Sequence, residues 1–217
     1  MARFIDLSHA VGDGDVTYPG LPAPRVAAHV TFEASRSHYA AGTEFEIARI
    51  EMVANTGTYL DAPSHRFRGR SDVAALPLEA LADLAGVCVD ARAVGRAIQA
   101  SVFGELELRG RAVLVLTGWS RHFGTPQYGA GHPFMTAEAA RALVERGAAL
   151  AGIDSLNIDD TADGSRPAHT ALLAASIPIV EHLRGLEELP RQGFRFLAVP
   201  PRLRGLGSAP VRAFAIA

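Results

Sequence analysis

The chain has 217 residues, 48% of them apolar and 20% charged, and its 21 basic and 23 acidic side chains leave a formal charge of -2. That size predicts one domain over 1–217 with a full core, and the balanced charge argues against nucleic acid as a partner, since phosphate binders carry a basic surplus. Every one of the 21 basic residues is Arg, which excludes Schiff-base and pyridoxal-phosphate chemistry and the P-loop, all of which need a lysine.

In chain order, Phe4 to Leu7 reads as a first short strand. Gly12 to Pro24 reads as loop, for its Gly, Asp and Pro content. Val26 to Phe32 and Glu44 to Met52 are strand-like. In the second, Phe45, Ile47, Ile50 and Met52 alternate with Glu44, Glu46, Arg49 and Glu51, the pattern of a strand with one covered face. Leu76 to Leu84 predicts a short helix with Pro77 in its first turn. Val87 to Asp90 follows as a strand, with Cys88 inside it as a packing residue.

The unbroken apolar run Ala112 to Leu116 predicts a strand buried on both faces. Thr136 to Gly147 is the clearest helix, with Thr136 as N-cap and Gly147 at the C-terminal cap. Leu150 to Ile153 is a strand, Thr170 to Ala175 a helix, and Ile177 to Val180 a strand. Phe194 to Val199 and Val211 to Ile216 close the chain as strands, with Pro200 to Pro210 expected as a long hairpin loop between them. Strands outnumber helices, which predicts a mixed α/β domain of several layers.

Glycine-rich nucleotide fingerprints fail. Gly12-Asp-Gly14 and Gly205-Leu-Gly207 each lack a third glycine, and neither leads from a strand into a helix, so no nucleotide cofactor is expected. One cysteine allows neither an intrachain disulfide nor a cysteine zinc cage. No apolar stretch reaches the roughly 18 residues of a membrane span, and the first residues lack a signal-peptide core. The expectation is a cytoplasmic protein that does not enter membranes.

Two segments carry chemistry. Asn55-Thr-Gly-Thr-Tyr-Leu-Asp-Ala-Pro-Ser-His65 follows a strand, and its Gly57 and Pro63 can hold Asp61 and His65 in fixed directions. Asp61 offers a hard oxygen for a divalent metal or for orienting a histidine. An imidazole ordinarily titrates near neutrality, which suits His65 to exchange a proton with substrate. His169 before a helix and Glu181 at the end of the next strand form the second segment. A helix out and a strand back bring these two near each other. Asp61, His169 and Glu181 make a mixed oxygen and nitrogen set suited to zinc, manganese or iron(II). On the residues alone, a capped turn, a capped helix and an arginine ion pair explain the same three positions.

Asn55 to His65 resembles the His-x-Gly-Thr-His-x-Asp-x-Pro-x-His signature of the metal-dependent cyclase-like hydrolases, the family of bacterial kynurenine formamidase and isatin hydrolase. The likeness extends to Ile5-Asp-Leu-Ser-His9, Thr17-Tyr-Pro-Gly20, Leu116-Thr-Gly-Trp119, Gly131-His-Pro-Phe134, Gly152-Ile-Asp-Ser-Leu156, and His169 with Glu181. The resemblance implies a compact β/β/α fold of the swivelling type with a mixed sheet, and a homo-oligomer, dimer or tetramer. It implies metal ligands at Asp61, His169 and Glu181 and a proton-transferring histidine at His65. The family's first two histidines, both ligands, are Asn55 and Tyr59 here. One divalent ion, zinc or manganese, is therefore expected where some members hold two. Asn55 and Tyr59 become candidates for substrate or oxyanion contacts, or for a bond to Asp61, and otherwise fill the vacated space.

The implied activity is hydrolysis of a carbon–nitrogen bond in a small amide, formamide or lactam, with an aromatic substrate and with Tyr18 and Phe67 as an aromatic wall. Two other classes stay open at this stage: a lyase or cyclase using His65 as base, and a non-catalytic member that only binds small molecules.

Overall fold

In a computed structural model that describes residues 2–217, the apolar run Ala112–Leu116 is the central strand of a nine-stranded sheet. The elements are β1 (Phe4–Asp6), β2 (Arg25–Val30), α1 (Phe32–Ser35), β3 (Ile47–Glu51), β4 (Tyr59–Asp61), β5 (Leu84–Asp90), β6 (Ala97–Ile98), β7 (Ala112–Leu116), β8 (Phe134–Met135), α2 (Ala137–Glu145), β9 (Leu150–Ile153), α3 (Pro167–Ala174), β10 (Ile179–Glu181), β11 (Gln192–Leu197), β12 (Ser208–Pro210) and β13 (Phe214–Ile216). The large sheet runs β1-β13-β11-β5-β7-β9-β10-β4-β12. Its middle, β5-β7-β9-β10, is parallel, and both flanks are antiparallel.

The two-residue period of β7 builds two cores. Ala112, Leu114 and Leu116 face one, with Cys88, Leu150, Val180, Phe194 and Phe196. Val113 and Val115 face the other, with Val87, Ile153 and Ile179 and with Leu143 of α2 and Leu172 of α3. Burying a Val or Leu side chain there stabilises by about 1.5–3 kcal/mol relative to exposure, and because both faces are apolar the register is held by how the alternating Leu and Val side chains fit their cores.

α2 begins as expected: Thr136 Oγ1 accepts from Ala139 N at 3.2 Å. Three expectations need correction. α3 starts at Pro167, so His169 lies inside its first turn and not ahead of the helix. Its cap comes from Asp159, ten residues before His169, whose Oδ1 accepts from Ala168 N at 2.6 Å and Oδ2 from His169 N at 3.0 Å. The helix expected over Leu76 to Leu84 shrinks to one turn at Leu78–Ala80. Asp83, at φ 59, reverses the backbone there and Leu84 starts β5. Finally, Pro200 to Pro210 is not only a connecting loop, because its end is β12, an edge strand paired with β4.

The alternating segment before Met52 forms β3, paired with β2 as a separate two-stranded ribbon. Neither face is covered: Val26, Ile47 and Ile50 are all exposed. Among the described residues, no helix is long and apolar enough to cross a membrane.

Candidate metal centre

Strand register assembles the site. β4 lies between β10 and β12, with Tyr59 opposite Glu181 and Pro210, and Asp61 opposite Ile179 and Ser208. Directly opposed residues share a sheet face, and residues two apart share it too. Tyr59, Asp61, Glu181 and Ser208 therefore stand together, while Leu60, Val180 and Ala209 belong to the core behind. All four are almost completely buried.

α3 lies over this face and lowers His169 onto it. His169 Nε2 is 3.5 Å from Asp61 Oδ2 and 3.8 Å from Glu181 Oε1. Its other nitrogen, Nδ1, bonds Asp159 Oδ2 at 2.7 Å. A carboxylate there holds the proton on Nδ1 and makes Nε2 the nitrogen directed at the two acids, the one a cation would bind in place of a proton. Asp159 thus caps the helix and orients Nε2 of its histidine in one contact set.

His65 ends the short turn Pro63–His65 that follows β4. Its ring lies 5.8 Å from that of His169, and its Nδ1 is 2.8 Å from Ser208 Oγ. The Ser208 hydroxyl donates its one proton to Asp61 Oδ1. It must then accept from His65, so Nδ1 carries the imidazole proton and Nε2 the lone pair. Asn55 Nδ2 reaches Ser208 Oγ at 3.3 Å and Asp61 Oδ1 at 3.5 Å. Gly207 permits this crowding, since a Cβ there would stand 2.7 Å from His65 Cα.

Tyr59 does not point its hydroxyl at Asp61 or into open space. It donates to Glu181 Oε2, while Glu181 Oε1 accepts from Ile158 N. Cross-strand opposition explains the choice: the phenol meets the carboxylate directly across the ladder. Tyr18 lines the cavity and stacks on His182 at 5.9 Å. Phe67 is not among the lining residues. It packs against the core under α3, beneath the Arg66 guanidinium at 5.5 Å.

The electrostatics follow from burial and proximity. Burial disfavours the charge on His169, yet Glu181, Asp159 and Asp61 together push its pKa up to about 10. Burial raises Glu181 to about 7 against the pull of His169. Burial works to raise Asp61 as well, but His169, His65 and Ser208 outweigh it and hold that carboxyl below its ordinary range. Burial, with Glu181 and Asp61 nearby, keeps the Tyr59 phenol protonated far above its usual range.

The donor set fits a divalent cation. Asp61 Oδ2 is buried with no hydrogen-bond partner, an expensive state unless a ligand claims it. It faces the Glu181 carboxylate and the His169 Nε2 nitrogen, the oxygen and nitrogen donors that zinc and manganese accept. Ligand-capable atoms of Asp61, His65 and His169 also lie within 4.8 Å of one another. Two contributors escaped the sequence reading. Asp159 is not singled out by the sequence, because it lies eight residues ahead of Pro167 and a capping acid normally stands immediately before its helix. Ser208 sat in a stretch taken for loop. The cavity over this face has a volume of about 230 Å³.

A family model described as "Putative cyclase" matches residues 5–160. A kynurenine formamidase of Bacillus cytotoxicus is 26% identical over 212 residues, covering 98% of this chain and 96% of its own. A solved structure described as a potential metal-dependent hydrolase with cyclase activity is 26% identical and superposes over all of this chain and 98% of its own, with a TM-score of 0.82. An isatin hydrolase bound to the product analogue thioisatinate shares the fold at 19% identity, with a TM-score of 0.85 over all of this chain and 92% of its own. The chain belongs to the cyclase family.

Proposed function

We propose that this cyclase-family chain hydrolyses a carbon–nitrogen bond in a small amide, formamide or lactam, with one divalent cation, zinc or manganese, held by Asp61, His169 and Glu181. The observation that carries the reading is the unpartnered Asp61 Oδ2 facing His169 Nε2 and Glu181, with His65 beside it. The kynurenine formamidase and metal-dependent hydrolase relatives support it.

A cation bound there supplies Lewis-acid polarisation of the carbonyl and makes water a nucleophile near neutral pH. The chain's own residues do the rest. Asp159 holds His169 with Nε2 inward. Ser208, tied to Asp61, keeps the His65 proton on Nδ1. His65 Nε2 takes the proton from the attacking water and returns it to the leaving nitrogen, giving a carboxylic acid and an amine. Asn55 steadies Ser208, and Tyr59 satisfies Glu181. With two histidines of the signature replaced by these hydrogen-bonding residues, the site keeps ligands for one ion.

A second assignment has one observation in its favour. The 4.8 Å cluster includes His65 and not Glu181, and in that reading His65 binds the ion and has no role as base. Hydrolysis of formanilide and N-formylkynurenine, with and without chelator, is the test. Chelator-sensitive turnover, lost in His65→Ala while metal content stays, is expected. Loss of metal in His65→Ala transfers His65 to the ligand set. Turnover that ignores chelator removes the metal mechanism, and products lacking added water favour a lyase. No turnover on any amide favours a binding protein. The exposed ribbon β2–β3 offers Val26, Ile47 and Ile50 as an oligomer surface, and light scattering of the purified protein tests the expected dimer or tetramer.

A further inference from the structure

We infer that Arg166, together with Arg66, binds a carboxylate on the substrate, so that the amides or lactams accepted here are acidic ones. The inference rests on the hydrolase reading above and specifies its substrate class. Both guanidiniums line the cavity that holds His65, His169 and Glu181.

Arg166 occupies the N-cap position of α3 in left-handed backbone, φ 49 and ψ 62, and makes no capping bond. Both features are unfavourable for stability. A non-glycine side chain is strained there, and a cation at a helix N-terminus opposes the helix dipole. Asp159 does the capping instead, so the Arg166 side chain is free to turn into the cavity. One of its donors, Nη1, is fixed by the Asp160 carbonyl at 2.8 Å. Arg66 is anchored in the same manner, with Nε on Thr170 Oγ1 at 3.2 Å.

Acids of the same loop leave these two alone. Asp160 pairs with Arg96 at 3.3 Å, and Asp163 accepts from Ser165. Neither Arg66 nor Arg166 forms an ion pair among the described residues, and each keeps unused N–H donors. A guanidinium held by one bond presents the rest of its fork in a set direction, the geometry that grips a carboxylate. The depth of the cavity handles the scissile carbonyl and its mouth reads the charge.

The probes are 2-, 3- and 4-formamidobenzoate, each matched with the corresponding neutral formamidobenzamide. For wild-type protein, kcat/KM is expected to favour a benzoate over its benzamide by at least roughly 10-fold, the low end for hydrogen bonds to charged groups. Arg166→Asn, a residue that tolerates left-handed backbone, is expected to cut that preference roughly 10- to 100-fold, and Arg66→Gln to cut it less. Equal use of both classes by wild type, or an unchanged ratio in both variants, overturns the inference while leaving the hydrolase reading intact. If no probe is hydrolysed, the hydrolase reading is decided separately by its own substrates and calorimetric binding of the benzoates decides this one. Affinity about tenfold weaker in Arg166→Asn upholds it, and equal affinity or no binding overturns it.

Discussion

Ser208 and Asp61 face each other across the β12–β4 ladder, and the serine hydroxyl spends its single proton on the carboxylate. That leaves it only able to accept from His65 Nδ1, at 2.8 Å. A sheet register thus fixes the tautomer of a histidine on a different element. Ser208→Ala is expected to lower turnover roughly 10- to 100-fold, as His65 loses its orientation, while bound metal stays near wild-type level. Steady-state kinetics beside metal analysis checks it. Parallel loss of metal would show that Ser208 acts only through Asp61.

Asp159 joins helix capping to ligand geometry, since one carboxylate accepts from Ala168 N, His169 N and His169 Nδ1. Asp159→Asn is expected to weaken metal affinity roughly 10- to 100-fold. Loss of the charged cap is expected to cost about 1 kcal/mol of stability. Competition against a chelating dye, together with chemical denaturation, measures both.

Tyr59 satisfies a fully buried Glu181 oxygen. Tyr59→Phe is expected to destabilise by about 1–3 kcal/mol, because the acceptor loses its strongest donor. Restoring the signature with the double change Asn55→His and Tyr59→His is expected to raise bound metal from one equivalent toward two. Native mass spectrometry reads the stoichiometry.

His182 is fully buried at φ 57, and burial lowers its pKa to about 3. An unfolded histidine titrates near 6.5, so the unfolded chain binds a proton there that the folded chain refuses. The stabilisation is present above pH 6.5 and is lost as the pH falls toward the folded value. Wild type is expected to lose roughly 2–3 kcal/mol through this group between pH 7 and 4.5. His182→Asn, acceptable in left-handed backbone, should show a shallower slope over that window in urea titrations. An identical slope would mean that the imidazole charges in the folded state.

The legible parts of this molecule were local. Ala112–Leu116 declared itself by an unbroken apolar run, and α2 by Thr136 and Gly147 at its ends. The Asn55 to His65 segment and the His169–Glu181 pair stood out as chemistry, and the structure brings Asp61, His65, His169 and Glu181 around one cavity face. What stayed hidden was non-local. Asp159 caps α3 from eight residues before Pro167, so the cap left no local signal and only Pro167 itself marked the start of the helix. Ser208 belongs to a three-residue edge strand inside a Gly- and Pro-rich stretch, where composition points to loop. The exposed ribbon β2–β3 carries the alternation of a half-buried strand, and periodicity cannot say whether anything covers the apolar face.

The central claim is that Asp61, His169 and Glu181 surround one divalent cation while His65 stands beside it as proton carrier. The most direct measurement is anomalous scattering from crystals of the manganese-loaded protein. A single peak within coordination distance of Asp61, His169 and Glu181, with His65 outside that distance, is the expected result. No peak at saturating manganese, or a peak ligated by His65 in place of Glu181, would contradict it.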